Sequence, residues 1–420
     1  MDWSPYTRQI SFAEPLALDG GRPVRESLLP YARQSVDAAD VAAVAAVLQS
    51  DWLTTGPQVA EFERSFAAAV GAREAVAVSS GTAALHAAMH ALAIGPGDEV
   101  IVPALTFAAT ANCVVYQGGR PIFADVDADT LLIDPAQLER LITPHTRAVL
   151  AVDYAGQPCE YDALRQIARR HGVALVSDAC HSLGAACHGR PVGSLADLST
   201  FSLHPAKAIT TGEGGIVTTD DSGLARRMRE FRQHGISLDR PPPDGENPWF
   251  YEQTELGYNY RLNDFQAALG ISQLGRLPTF IARRRAIARH YDAAFAGLVA
   301  ARPLAVRTGV EHAYHLYVLR LDPRRLTADR ARIFRALRAE GLGVQVHYIP
   351  VHLHPYYRQQ FGTRAGLCPT AEKSYEQIIS LPIFPAMTDA DVGDVIAAVQ
   401  KVLDHFSQDA RPQDRGACRS

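Results

Sequence analysis

The sequence predicts an α/β protein, a mostly parallel sheet covered by helices, followed by a smaller α+β domain. Three observations carry that expectation. Short apolar runs alternate with amphipathic stretches through the first two-thirds of the chain. The runs are continuously apolar, as strands buried on both faces are, and not alternating. After about residue 290 the pattern changes to alternating strands set among helices. At 420 residues the chain is long for one core, and two domains are expected.

In chain order, residues 1–30 carry Pro5, Pro15, Gly20, Gly21, Pro23 and Pro30 and read as an irregular N-terminal arm. The large domain covers 31–289, the small domain 290–410, and 411–420 forms a flexible polar tail. Strands are expected at Glu74–Ser79, Glu99–Val102, Arg120–Asp125, Ala148–Val152, Val173–Val176 and Leu198–Ser202. Helices are expected at Ala83–Leu92, at Ser222–His234 with Ser222 as N-cap, at Asn263–Leu274, and along a basic-faced stretch from Leu277 to Leu298. In the small domain, Tyr314–Leu321 and Val344–Tyr348 alternate like strands, and Ala328–Glu340 and Asp389–Phe406 read as helices.

Bulk properties exclude several functions. A net charge of -4 leaves no electrostatic footprint for nucleic acid. No apolar run reaches ~18 residues, so no membrane span is expected. The six cysteines show no CxxC pair, and the first 30 residues show no secretory pattern. A cytoplasmic protein with reduced thiols follows. The histidines lack HExxH and ligand spacing, so no metal is expected. Neither a P-loop nor GxGxxG is present.

The chemistry-bearing residues stand at the strand ends, where sites form in such sheets. Asp178 follows a buried run, and a carboxylate there is costly unless it meets a cation, such as the protonated ring nitrogen of pyridoxal phosphate (PLP). A helix N-cap is the plainer reading. Lys207 lies between a strand and Thr210-Thr211-Gly212-Glu213-Gly214-Gly215. A lysine desolvated in a glycine-lined pocket can lose its proton and attack an aldehyde, although most lysines are solvated. Ser79-Ser80-Gly81-Thr82, between strand and helix, suits a phosphate or a plain capped turn. Phe107 suits a stacking ring or the core. Each feature is weak alone, but their order is that of a fold-type I PLP enzyme.

With these residues in place, the sequence resembles the DegT/StrS family of sugar aminotransferases over about Leu29 to Phe406. Matching stretches include Leu53–Pro57, Ser79–Ala83, Asp153–Gly156, Ser177–Gly184, Phe201–Gly215, Gly257–Asp264 and Val346–Pro350, and FSLHPAKAITTGEGG is the most specific of them. Within the family, the PseC-type branch is the most similar. It aminates C4 of a UDP-linked 4-keto-6-deoxy-N-acetyl sugar in pseudaminic acid synthesis. The resemblance implies the aspartate aminotransferase-like fold, with a mostly parallel seven-stranded sheet, and PLP as cofactor.

It also implies roles. Lys207 carries the cofactor and shuttles the proton, Asp178 holds the ring nitrogen, and His181 contacts the 3'-oxygen where many members have Gln. Ser202, Gly81 and Thr82 bind the phosphate, and Phe107 stacks on the ring. Asn259 reaches the phosphate of the neighbouring subunit, which makes a homodimer with composite sites. Glutamate is the implied amino donor and a nucleotide-linked keto sugar the acceptor, with His347 and Tyr348 lining the sugar-nucleotide side or simply packing at a strand end. Arg283-Arg284-Arg285 could meet a diphosphate or be solvated helix surface. Tyr314, His315 and Tyr317 are undecided. A lysine at 207, where a dehydratase branch has histidine, favours transamination. The rival readings are a transaminase for a keto-cyclitol or other natural-product ketone, and an idle PLP-fold regulator, which the retained lysine and aspartate disfavour.

Overall fold

In the computed structural model, residues 15–237 and 249–408 are described. Seven strands form the main sheet: β1 (Glu74–Val78), β2 (Glu99–Pro103), β3 (Arg120–Ala124), β4 (Thr146–Val152), β5 (Ala174–Asp178), β6 (Leu198–Ser202) and β7 (Gly215–Thr219). Their order across the sheet is β1-β7-β6-β5-β4-β2-β3. Only β7 runs against its neighbours, pairing antiparallel with both β1 and β6. The other pairs are parallel. Six strands match the apolar runs of the sequence. The seventh, GIVTT, follows the glycine-rich turn and doubles back to pair antiparallel with β6.

That reversal positions the site. Val78 and Ser202 both stand opposite Gly215, so the ends of β1 and β6 flank the start of β7. Asp178 pairs with Val152 on one side and Thr200 on the other, at the same edge. A helix α1 (Gly81–Ala91) follows β1 and is almost wholly buried against the sheet.

Several local expectations are corrected. The helix α2 (Ser222–Phe231) is capped by Asp221, not Ser222: its carboxylate accepts from Gly223 N at 2.7 Å and Leu224 N at 3.1 Å. The two helices expected on either side of residue 275 are one, α3 (Asp264–Phe295), with Pro278 inside it. Its length serves two cores. Leu274, Leu277, Phe280 and Ile281 pack on the sheet side, whereas Ile287, Ala288, Tyr291 and Phe295 join a second core.

The second core is built on a three-stranded antiparallel sheet of β8 (Ala301–Pro303), β9 (Tyr317–Leu321) and β10 (Ile378–Leu381), in the order β8-β9-β10. Helices α4 (Arg330–Ala339) and α6 (Asp389–Phe406) cover it; a short α5 (Pro369–Tyr375) precedes β10. Val344–Tyr348 is not a strand. Only Gln345 bridges, to Ser380, and the next carbonyl but one, of His347, accepts the Tyr154 hydroxyl instead of a ladder partner. The described part of the arm packs on the second core. Leu16 and Leu29 are buried in the second core. The amides of Ala17 and Val24 donate to the fully buried Glu340, whose carboxylate also takes Lys401 Nζ at 2.9 Å. The expected tail, 411–420, lies outside the described residues.

Candidate active site

The turn after β1 leads straight into a helix. Ser80 caps it, its hydroxyl accepting from Ala83 N at 3.1 Å, so the first amides, of Gly81 and Thr82, have no carbonyl partner within the helix. Two glycines permit the close approach of β6 and β7. A Cβ on Gly81 would lie 2.8 Å from that of Ser202, and one on Gly215 would lie 2.2 Å from the Ser80 carbonyl oxygen. What results is a shallow cradle of amides and hydroxyls from Gly81, Thr82 and Ser202. Its size and polarity suit a phosphate at a helix N-terminus.

Asp178 ends β5 with 5 % of its surface exposed. No helix follows, so the N-cap reading fails, although Oδ1 does accept from Cys180 N at 3.2 Å. Oδ2 accepts from the Thr110 hydroxyl at 2.7 Å, and Thr110 is in turn bonded to Thr106. Among the described residues no cation pairs with it. A buried carboxylate steadied by one hydroxyl and one amide, and open to a pocket, is suited to a cationic ring nitrogen.

Lys207 is half-buried in the same pocket, and its ammonium makes no hydrogen bond or ion pair with a described residue. Burial holds its pKa below the ordinary lysine value, against the opposing pull of Cys180 and Asp178. Three histidines surround it. His181 and His315 are buried with ring centroids 4.3 Å apart, and both have an Nδ1 without a partner. Burial, then the Lys207 charge, pushes both far below the usual histidine range. His347 is held at about 4 for the same two reasons, and its Nδ1 meets Ser380 Oγ at 2.8 Å. The Tyr348 hydroxyl lies 3.1 Å from His181 Nε2, and its ring is 5.9 Å from that of Phe107. Phe107 is 60 % exposed and therefore not core.

Of the residues singled out in the sequence, Gly81, Thr82, Phe107, Asp178, His181, Ser202, Lys207, His347 and Tyr348 all line this one pocket of about 520 Å³. Asn259 does not. It sits exposed between Tyr258 and Tyr260, bridged to Gln233. Tyr31, Thr110, His315 and Gln345 also line the pocket and carry no local signal that could have found them, apart from the undecided His315. Only the packing of distant segments brings them in. The Arg283-Arg284-Arg285 face is neither solvated nor free. Arg284 is 1 % exposed and donates to the carbonyls of Tyr314, His315 and Ile383. Arg283 holds Asp389 and the Met387 carbonyl, and Arg285 holds Glu311 and the His312 carbonyl.

These donors fit pyridoxal phosphate. The cradle would suit its phosphate, Asp178 its ring nitrogen, and the unpartnered Nδ1 of His181 is free to meet its ring oxygen. Lys207 is the amine in the pocket that could attach it.

Comparison with known proteins agrees. The model of the DegT/DnrJ/EryC1/StrS aminotransferase family matches residues 34–400. The spore coat polysaccharide biosynthesis protein SpsC of Bacillus subtilis is 43 % identical over 383 residues, covering 90 % of this chain and 98 % of SpsC. Among solved structures, Helicobacter pylori PseC, an aminotransferase involved in the biosynthesis of pseudoaminic acid, has a TM-score of 0.85 at 32 % identity, covering 90 % of this chain and 100 % of PseC. The PLP form of a sugar aminotransferase from Streptococcus pneumoniae, Spr1654, has a TM-score of 0.84 at 32 % identity, covering 90 % and 99 %. DesI in the presence of its TDP-sugar product has a TM-score of 0.81 at 33 % identity, covering 92 % and 96 %. With the family model spanning nearly the whole chain and its solved relatives sharing the fold, this chain belongs to the DegT/DnrJ/EryC1/StrS aminotransferase family and uses pyridoxal phosphate.

Proposed function

We propose that the enzyme moves the amino group of glutamate to the keto carbon of a nucleotide-linked 4-keto-6-deoxy sugar, with a UDP-linked N-acetyl sugar of the pseudaminic acid type as the first candidate. The observation that carries this reading is the unpartnered Lys207 amine, desolvated in a pocket that also holds Asp178 and the phosphate cradle. The relatives named for sugar chemistry support the acceptor class.

The chain's own residues divide the work. When bound, the cofactor supplies a ring that accepts the electron pair left as a carbon–hydrogen bond of the donor breaks. Lys207 Nζ, whose charged form burial disfavours, takes that proton when neutral and returns one to the sugar carbon in the second half-reaction. The Thr110 hydroxyl and Cys180 amide fix Asp178 so that its carboxylate holds the ring nitrogen. His181, kept neutral, donates one hydrogen bond to the ring oxygen. Gly81, Thr82 and Ser202 anchor the phosphate, Phe107 covers one face of the ring, and His347 and Tyr348 line the wall toward the sugar.

The working unit in this reading is a homodimer. Asn259 is exposed, and beside it Trp249, Tyr251, Leu256 and Tyr258 expose 72 %, 62 %, 75 % and 40 % of their surface. Apolar surface of that kind suits burial against a second copy, which would carry Asn259 to the partner's phosphate cradle. The described cysteines are free thiols, consistent with a cytoplasmic setting.

Glutamate incubated with the enzyme and a panel of UDP-, dTDP- and GDP-linked 4-keto sugars tests the substrate. Release of 2-oxoglutarate coupled to one sugar identifies the acceptor. Turnover with none of the panel, by enzyme that still converts glutamate in a single half-reaction, overturns the nucleotide-sugar reading.

A further inference from the structure

A second cleft, of about 550 Å³, lies on the small domain and shares no lining residue with the Lys207 pocket. Strands β8 and β9 pair so that Arg302 stands directly opposite Arg320. Like charges in that position destabilise a sheet. Arg324 and Lys373 line the same cleft, beside an apolar shelf that includes Leu298 and Val299.

Carboxylates answer only part of this charge. Asp129 pairs with Arg302 at 2.8 Å and Asp322 with Arg324 at 2.9 Å. Among the described residues, Arg320 has no carboxylate partner. Its Nε donates to the Gln377 side-chain oxygen at 2.8 Å and its Nη1 to the Ala128 carbonyl. Lys373 is exposed and makes no hydrogen bond or ion pair with a described residue. Burial, then the neighbouring Arg302, disfavours the charged form of Arg320, which Asp129 and Asp127 only partly relieve. So four cations share one cleft, two of them lack a carboxylate among the described residues, and the chain as a whole is negative at -4.

We propose that this cleft is a binding site for the diphosphate group of a small organic molecule, separate from the active site. A diphosphate carries enough charge to neutralise both unanswered cations, and guanidinium groups match phosphate oxygens in pairs. The cleft volume is that of a small-ligand pocket, and the apolar shelf offers a surface for the organic part. Arg302 and Arg320, held side by side by the strand register, form its rigid floor. Arg324 and Lys373 close over the ligand from the rim.

The test is calorimetric titration of the full-length, cofactor-loaded enzyme with inorganic pyrophosphate. The expected result is saturable binding that weakens with added salt. It should weaken by about tenfold, roughly 1.4 kcal/mol, in a variant with Arg324→Glu and Lys373→Glu. Both residues are exposed, so folding and transamination should be unchanged. Arg64→Glu, an exposed change on another face, serves as the control for net charge. No saturable binding overturns the proposal. So does equal affinity in the wild type and the double variant, because the anion then sits elsewhere, or an equal per-charge loss in the control.

Discussion

Two regions of this molecule gather basic side chains and treat them in opposite ways. Around Lys207, the rings of His181, His315 and His347 and the lysine itself are all pushed toward their neutral forms, chiefly by burial. Around Arg320 on the small domain, four cations remain open to water or only half-covered. The first arrangement disfavours the charged forms of its groups, and the second gathers charge that is suited to anions. Residue type alone does not separate them; depth does. Arg284 shows the boundary: burial brings its pKa down to about 10, so it remains a cation, and it donates hydrogen bonds to three carbonyls.

The sharpest way to break this contrast is to remove the proton carrier. Lys207→Ala should lower the glutamate half-reaction by roughly 10³-fold or more, since both attachment and proton transfer go with it. Bleaching of the visible absorbance on adding glutamate reads that step, and near-normal rates would remove Lys207 from the role assigned to it.

Next in size is Arg284→Met, which keeps the volume but leaves the carbonyls of Tyr314, His315 and Ile383 without a donor in a dry interior. A loss of about 3 kcal/mol in urea unfolding is expected. The same change should slacken the His315 segment, because that arginine ties it to both cores. A loss under about 1 kcal/mol would mean that the buried charge had cost nearly as much as its bonds returned.

Acid should expose the neutral histidines. His86 and His347 have pKa values lowered from the ordinary range near 6.5 to about 4, and His312 to about 3. The unfolded chain therefore takes up protons below pH 6.5 while the folded chain does not. Their contribution to stability is complete above that pH and is lost as the pH falls toward 4. Each such group adds roughly 1.4 kcal/mol per pH unit to the slope in that window. Unfolding free energies at pH 7, 6 and 5 measure it, and His347→Gln should flatten the slope. A flat profile in the wild type would contradict the burial of these rings.

Much of the sheet was legible because its strands are continuous apolar runs, and much of the site because chemistry sits at their ends. Lys207, Asp178 and Gly81 could be named for that reason, and Ser202 only through the family resemblance. What could not be read was whatever depends on distant packing. Thr110 reaches Asp178 from a separate helix, and Tyr31 arrives from just beyond the arm. Arg283-Arg284-Arg285 looked like a solvated basic face because three charges in a row normally are. Only the approach of the small domain buries the middle one. The stretches Asn263–Leu274 and Leu277–Leu298 read as two helices, whereas one long helix spans both cores. The register that sets Arg302 against Arg320 was equally invisible, since it depends on how β8 and β9 meet.

The smallest expected effect concerns His181. Burial keeps this ring neutral, so it offers one donor and one acceptor, with Nε2 toward the Tyr348 hydroxyl and Nδ1 left without a partner. A glutamine amide offers the same pair of functions at similar reach and without a titration. His181→Gln should therefore lower turnover by less than about tenfold, whereas His181→Leu, which can donate nothing, should cost more. The pH dependence of the cofactor's visible band is the more telling readout. If His181 serves only as a neutral donor, the band should titrate at the same pH in the glutamine variant as in the wild type. If it moves by a full pH unit, the imidazole carries charge at some point in the cycle. The contrast between a neutral pocket and a charged cleft would then hold for the resting enzyme alone.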